Sequence, residues 1–357
     1  MKQLITPKML KKGDTIATIS LSWGGAGVFK DKYLLGKQQF EQTFGVKIVE
    51  TPHALSSPQE LYEHPEWRLA DFMWAFENQD IKGILTNIGG DETIRLLTLM
   101  NEIHFETIRR NPKVFLGMSD TTVNHFMCLK AGLSSFYSPS LMFGYAENGG
   151  IPDYIIRNTK QTLFSNQPIG TLSASEEFIA QRIPFEDTLT RRERTKAQPW
   201  RFIQGEAKVS GRLIGGCIDV LDFMNGTALW PTLDEWENTV LFLETSEEKP
   251  SPDQVSYWLR NFAAQGILQR ISGILFARPG GEFSPQKVDK QKQFIEHYVD
   301  YDAVILKVLK EYQCHNLAVV TNMDFGHTVP QLILPYGKLC EIDPKRQHVS
   351  ISEPGVI

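Results

Sequence analysis

In its first 165 residues the chain alternates four times between a short apolar strand and a helical pattern, with glycine-rich loops where strands end. Residues 15–21 (Thr-Ile-Ala-Thr-Ile-Ser-Leu) read as a buried strand, followed by Gly24, Gly25 and Gly27 and a helix over 31–44. Residues 46–50 form a second strand, and a helix over 65–77 carries Leu69, Phe72, Met73 and Phe76 on one side. The third strand, 81–88, runs into Gly89-Gly90-Asp91-Glu92-Thr93 and a helix over 93–100. The fourth, Val114-Phe115-Leu116-Gly117-Met118, runs into Ser119-Asp120-Thr121-Thr122 and the helical spacing of Val123, Phe126, Met127 and Leu129. Strands separated by helices pair in parallel, so this pattern dictates an α/β fold whose sheet is covered on both faces.

The remainder divides in two. Residues 166–205 have little periodicity and hold Glu176-Glu177 and Arg191-Arg192-Glu193-Arg194; they read as an inter-domain linker or lid. Gly211-Arg212-Leu213-Ile214-Gly215-Gly216 then opens a second domain over 206–357. Its strands are predicted at 239–244, 273–277 and 317–321, with helices near 216–224, 252–265 and 301–312. A length of 357 residues suits about two domains of ~100–200 residues.

Composition narrows the function classes. A net charge of −5 argues against nucleic acid as the main partner. No apolar run approaches the ~18 residues of a membrane span, and the first residues lack the apolar core of a secretory signal. Cys128, Cys217, Cys314 and Cys340 are widely spaced, which suits reduced thiols in a cytoplasmic protein. No His-x-x-x-His spacing occurs, so a zinc site is not expected.

The strand-to-helix turn at Gly117-Met118-Ser119-Asp120 is how a nucleophilic serine is presented, although Thr121 stands where a hydrolase elbow has glycine. Ser119 also reads as a plain helix cap. A serine hydrolase needs an imidazole base and a carboxylate to orient it. Glu244 ends the apolar strand Val240-Leu241-Phe242-Leu243 and needs a task or a partner there, unless it is a surface acid with Glu247 and Glu248. His327 follows Gly326 just beyond residues 317–321; alone among the histidines it follows a glycine after an apolar strand, though it could merely bond a carbonyl. The chain order Ser, Glu, His is that of α/β-hydrolases, and the members come from both halves of the chain. Backbone N–H groups at Gly89-Gly90-Asp91 would suit an oxyanion hole or a phosphate. The stretch lacks the lysine of a phosphate loop.

Taken together these pieces resemble the LD-carboxypeptidase family of serine peptidases, and more closely its branch around microcin C self-immunity. The resemblance spans nearly the whole chain. It rests on Trp67-Arg68-Leu69-Ala70-Asp71-Phe72, Ile88-Gly89-Gly90-Asp91-Glu92, Phe115-Leu116-Gly117-Met118-Ser119-Asp120, Gly211-Arg212-Leu213-Ile214-Gly215-Gly216-Cys217, Leu241-Phe242-Leu243-Glu244-Thr245-Ser246-Glu247-Glu248 and Phe325-Gly326-His327. It implies a Rossmann-like N-terminal domain (1–165), a C-terminal domain of mixed strands and helices, no cofactor or metal, and a cytoplasmic homodimer. It also implies Ser119 as nucleophile, Glu244 as orienting acid and His327 as base, with oxyanion contacts from the N–H groups of Gly90 or Asp91 and of Asp120. The microcin-immunity branch stacks a nucleobase on tryptophans of the inter-domain loop. Here that loop offers Phe178, Phe185 and one tryptophan, Trp200, so Trp200 and Phe185 are the candidate substrate contacts.

The expected function is therefore a serine carboxypeptidase-type amidase acting on a small peptide or peptidyl conjugate, with detoxification of aminoacyl-nucleotides or related compounds first. Murein tetrapeptide cleavage in peptidoglycan recycling is the alternative. A two-lobed small-molecule binding protein without chemistry is the alternative of another class; the spacing of Ser119, Glu244 and His327 separates it from an enzyme.

Overall fold

The structure, a computed structural model, describes residues 3–179, 181, 183–280 and 290–357, with the backbone alone over 290–299. Five short strands, β1 (Thr15–Ile19), β2 (Lys47–Glu50), β3 (Ile81–Thr86), β4 (Val114–Gly117) and β5 (Phe136–Tyr137), lie parallel in the order 2-1-3-4-5. Helices Lys30–Phe44, Pro65–Glu77, Glu102–Arg110 and Thr122–Ala131 make the crossovers. The order reverses between β1 and β3, and such reversals open a crevice at the carboxyl ends of the strands. The expected helix over 93–100 is instead a 3-10 turn, Thr93–Thr98. The α-helix starts at Glu102 because the first true cap is Asn101, whose side chain accepts the N–H groups of Ile103 and His104.

Residues 166–205 contain more regular structure than their sequence suggests: β6 (Gly170–Thr171), β7 (Glu177–Phe178), β8 (Thr195–Lys196) and β9 (Arg201–Gln204). Two-residue strands carry no readable period, which is why they look like loop. The second sheet is built on β10 (Val209–Cys217), β11 (Thr239–Glu244), β12 (Gly273–Ala277) and β13 (Ala318–Met323), which are parallel. The helix expected at 301–312 begins at Lys290. Three further strands, β14 (Leu334–Pro335), β15 (Leu339–Asp343) and β16 (His348–Ile351), complete the chain. The eight-stranded sheet runs β6-β16-β15-β10-β11-β12-β13-β9, and β14 crosses back to pair antiparallel with β5.

Burial accounts for the strands that the sequence predicts. Every residue of β11 and β12 is buried, as parallel strands sandwiched between helices require. Each fully buried Leu or Phe there contributes roughly 1.5–3 kcal/mol. One apolar cluster runs unbroken from Phe115 and Phe126 in the first half to Leu213 and Phe242 in the second. Polar ties reinforce it: Cys217 N–H donates to Thr122 Oγ1 (3.2 Å), and Tyr336 Oη–H to the Gly215 carbonyl (2.6 Å). The two halves are thus packed as one body, so groups carried by different sheets hold fixed separations.

Candidate active site

Ser119 sits at the turn between β4 and helix Thr122–Ala131, with φ +60°. A side chain in the left-handed region is strained, and such strain gathers where a group must be aimed. Several contacts hold the turn in place. Neutral His125, whose pKa burial lowers to about 3, bonds the Gly117 carbonyl through Nε2 (2.9 Å) and Ser135 Oγ through Nδ1 (2.9 Å). Asp120 is buried and accepts the Thr93 N–H (2.8 Å), so its carboxylate anchors the neighbouring loop.

The apolar strand β11 delivers Glu244 to the same place, fully buried. His327 arrives on the loop after β13. Its Nδ1 lies 2.7 Å from Glu244 Oε2 and its Nε2 lies 3.1 Å from Ser119 Oγ. Gly326 is what lets the loop come this close: a Cβ there would stand 2.5 Å from the Glu244 carboxylate. Gly89 matters likewise on the other side, since its Cβ would stand 2.9 Å from that of Ser119. The three residues singled out in the sequence therefore meet in one hydrogen-bonded line. This arrangement can withdraw a proton from Ser119 and hold the resulting imidazolium against a carboxylate.

Sequence reasoning missed two neighbours. Tyr137, in β5, donates its hydroxyl to Glu244 Oε1 and accepts the Ser119 N–H (3.0 Å). Burial and the nearby Glu244 raise its pKa, keeping it a donor. Glu247 places Oε2 3.0 Å from His327 Nε2, on the nitrogen that also faces Ser119. Burial of the ring disfavours its charge, but Glu244 and Glu247 together outweigh this and raise the His327 pKa well above the ordinary value. Cys217, Glu244 and His327 also bring possible metal-ligand atoms within 4.8 Å of one another. Burial, with Glu244 and Asp219 nearby, holds the Cys217 thiol protonated, and a protonated thiol is a poor ligand.

Ser119 and His327 open onto a pocket of about 350 Å³. Gly89 and Gly90 form part of its lining, and Asp91 is exposed beside it. Among the described residues the N–H groups of Gly90 and Asp91 have no protein partner. Phe185 lines the pocket, in contact with Phe29 (5.4 Å between ring centres), which in turn meets Trp23 (5.7 Å). Trp200 is elsewhere: its Nε1–H donates to buried Asp324 (2.8 Å) and its ring packs on the core. The aromatic wall thus comes from Phe185 with Trp23 and Phe29, and the expectation that Trp200 faces substrate is corrected. Two cations also line the pocket: Lys32, bonded to Asn148 (2.9 Å), and Arg192, in a forked pair with Glu147.

Residues 16–138 match the LD-carboxypeptidase N-terminal domain, and residues 210–342 match the LD-carboxypeptidase C-terminal domain. The chain belongs to the LD-carboxypeptidase family. A MccF-like protein from Streptococcus pneumoniae, solved in complex with AMP, shares the fold with a TM-score of 0.83 and 30% identity, over 96% of this chain and 99% of that one. The microcin C7 self-immunity protein MccF of Escherichia coli is 26% identical over 348 residues, 96% of this chain and 94% of its own. A probable murein peptide carboxypeptidase of Bacillus subtilis is 27% identical over 270 residues, 75% of this chain and 73% of its own. Family membership makes the chain a serine peptidase of carboxypeptidase type, which sets aside the reading as a binding protein without chemistry. Among the described residues no helix is long and apolar enough to cross a membrane.

Proposed function

We propose that the protein is a serine amidase that cleaves the acyl bond of an aminoacyl-nucleotide or a related peptidyl conjugate. The observation that carries this reading is the line Ser119–His327–Glu244, at 3.1 and 2.7 Å, opening onto a pocket with an aromatic wall. Ser119 Oγ attacks the scissile carbonyl while His327 Nε2 takes its proton. Glu244 holds the ring with Nδ1–H pointing at its carboxylate and balances the imidazolium charge. The developing oxyanion turns toward the N–H groups of Gly90 or Asp91 and of Asp120. Collapse of the tetrahedral species breaks the bond to the leaving nitrogen, which receives the proton from His327. Water then attacks the acyl-enzyme by the reverse proton path and frees Ser119.

The nucleoside side of the conjugate lies against Phe185, with Trp23 and Phe29 behind it; a base stacks on any such ring without sequence preference. That the Streptococcus pneumoniae relative was solved in complex with AMP supports a nucleotide as the kind of ligand. The 166–205 segment serves the leaving-group side, between working units at 1–165 and 206–357; this is supported by Phe185 and Arg192, which line the pocket. A murein peptide is the second reading. Lys32 favours it, because it lines the pocket bonded to the neutral Asn148 and offers a cation to the carboxylate of a terminal amino acid, whereas Arg192 is already paired with Glu147. A cytoplasmic setting and a homodimer complete the proposal. The first is supported by four free cysteines, the second by the family resemblance.

The test is a mass-spectrometric screen of an aminoacyl sulfamoyl adenosine and murein tetrapeptide, with wild-type and Ser119→Ala protein. Wild type is expected to release the free amino acid from the adenosine conjugate and Ser119→Ala to leave it intact. Cleavage by both proteins at one rate would overturn the mechanism. Cleavage of the tetrapeptide alone would select the second reading.

A further inference from the structure

One contact of the catalytic histidine has no place in the mechanism above. His327 Nε2 has two oxygens within reach, Ser119 Oγ at 3.1 Å and Glu247 Oε2 at 3.0 Å. With Glu244 on Nδ1 and Glu247 on Nε2, both ring nitrogens face a carboxylate. A ring donating to both is the imidazolium, which has no lone pair left for the serine proton. Glu247 is also the accessible partner: its side chain is 51% exposed, against 0% for Glu244, and it lines the pocket.

The loop aims it there. Ser246, its neighbour, is held by Asp219 through both its N–H (3.0 Å) and its hydroxyl (2.9 Å). The other ionisable groups around the ring are committed elsewhere. Tyr137 donates to Glu244, and the Cys217 thiol faces Asp219. Across the pocket Lys32 is bonded to Asn148, Arg192 and Glu147 pair with each other, and Glu186 lines the wall.

We propose that Glu247 recognises an ammonium group carried next to the scissile carbonyl of the substrate, and that this capture frees His327 Nε2 to serve Ser119. This rests on the amidase reading and specifies its acyl side. An aminoacyl group carries a free ammonium on the carbon beside the carbonyl that Ser119 attacks, so the cation arrives next to Nε2. Glu247 exchanges its bond to the ring for one to the ammonium. The Nε2 proton leaves to solvent, and the neutral ring then accepts the serine proton. An acyl group whose nitrogen is blocked leaves Glu247 on the ring. The free enzyme is held in a resting form that its proper substrate undoes.

Two measurements on the intact protein test this. The first is the titration of the His327 ring by NMR without ligand, in wild type and Glu247→Gln. The glutamine keeps the shape and loses the charge, so the midpoint is expected to move to lower pH, and the rising limb of kcat/KM to follow it. The second uses Ser119→Ala protein, with and without Glu247→Gln, and compares binding of alanyl sulfamoyl adenosine with that of its N-acetyl form. A preference of about tenfold or more for the free ammonium is expected, the size of one charge-assisted hydrogen bond, falling toward parity with Glu247→Gln. An unchanged His327 titration overturns the resting form, and an unchanged preference overturns the recognition. If neither adenosine compound binds, the amidase reading of the substrate fails and the recognition with it, while the titration still decides whether Glu247 holds the ring.

Discussion

Tyr137→Phe isolates one hydroxyl that serves two parts of the site at once. The variant keeps the buried ring and removes only the oxygen that accepts the Ser119 N–H and donates to Glu244 Oε1. No solvent reaches Glu244 to replace the lost donor, since that residue is fully buried. Leaving the partly buried Ser119 N–H alone costs at most about 1–3 kcal/mol, and a hydrogen bond to a charged group is worth about 1.5–3. Partial relaxation brings the combined loss to roughly 2–5 kcal/mol. For a chain of 357 residues the unfolding entropy at roughly 2.1 cal/mol/K per residue turns this into a Tm drop of about 3–7 °C. Activity falls too, because the carboxylate that orients His327 loses the donor fixing its other oxygen. The ceiling is the ~10⁴-fold fall in kcat seen when a triad acid is replaced; here about ten- to hundredfold is expected. Calorimetry and single-turnover kinetics on the same preparation give both numbers. A Tyr137→Phe protein within 1 °C and twofold of wild type would refute the bridging role.

Four further outcomes follow from the site. Ser119→Ala and Ser119→Gly should both be inactive beyond the ~10³–10⁴-fold that binding and oxyanion contacts supply. Ser119→Gly should nonetheless unfold at the higher temperature, by up to about 1 kcal/mol, because glycine relieves the φ of +60°; equal stability would argue against strain there. Phe185→Ala should raise KM for an adenosine conjugate by about 5- to 150-fold (~1–3 kcal/mol) and spare peptide substrates. Trp200→Ala should instead lower Tm and leave KM within tenfold, since its indole binds Asp324; the opposite pattern would restore Trp200 as the base platform. Burial opposes charge on His327, yet Glu244 and Glu247 raise its folded pKa above the unfolded value. Its contribution to stability is therefore full below about pH 6.5 and lost as pH rises through the folded value. Denaturant titrations of wild type and Glu247→Gln across neutral and alkaline pH should show a smaller alkaline loss in the variant, and identical slopes would remove Glu247 from the account.

How far the residues announced this arrangement depends on the kind of signal. The run Val240-Leu241-Phe242-Leu243 declared a buried strand because burial on both faces leaves no alternation. An acid at its end stood out for the same reason. Gly326-His327 was legible as a motif, and the close approach to Glu244 now accounts for the glycine. Tyr137 gave no signal: β5 has two residues, and a tyrosine in a short apolar run looks like any core aromatic. Glu247 was hidden among acids that read as a solvated loop. The aromatic wall was sought in one segment, but Trp23 and Phe29 reach it from the loop after β1, a contact between residues far apart in sequence.

The crossing of β14 into the first sheet has a consequence for how the protein is made. Its register puts Leu334 opposite Tyr137, so the edge beside the bridging tyrosine stays open until residue 334 has been synthesised. At ~5–20 residues per second, translation from 137 to 334 takes roughly 10–40 s. Glu244 and His327 are also translated in that interval, long after Ser119. A nascent chain therefore carries the Ser119 turn without Glu244, without His327 and with an unfinished sheet edge. Assembly of the site waits until the chain through His327 has been made, and the sheet edge beside it closes only when β14 follows.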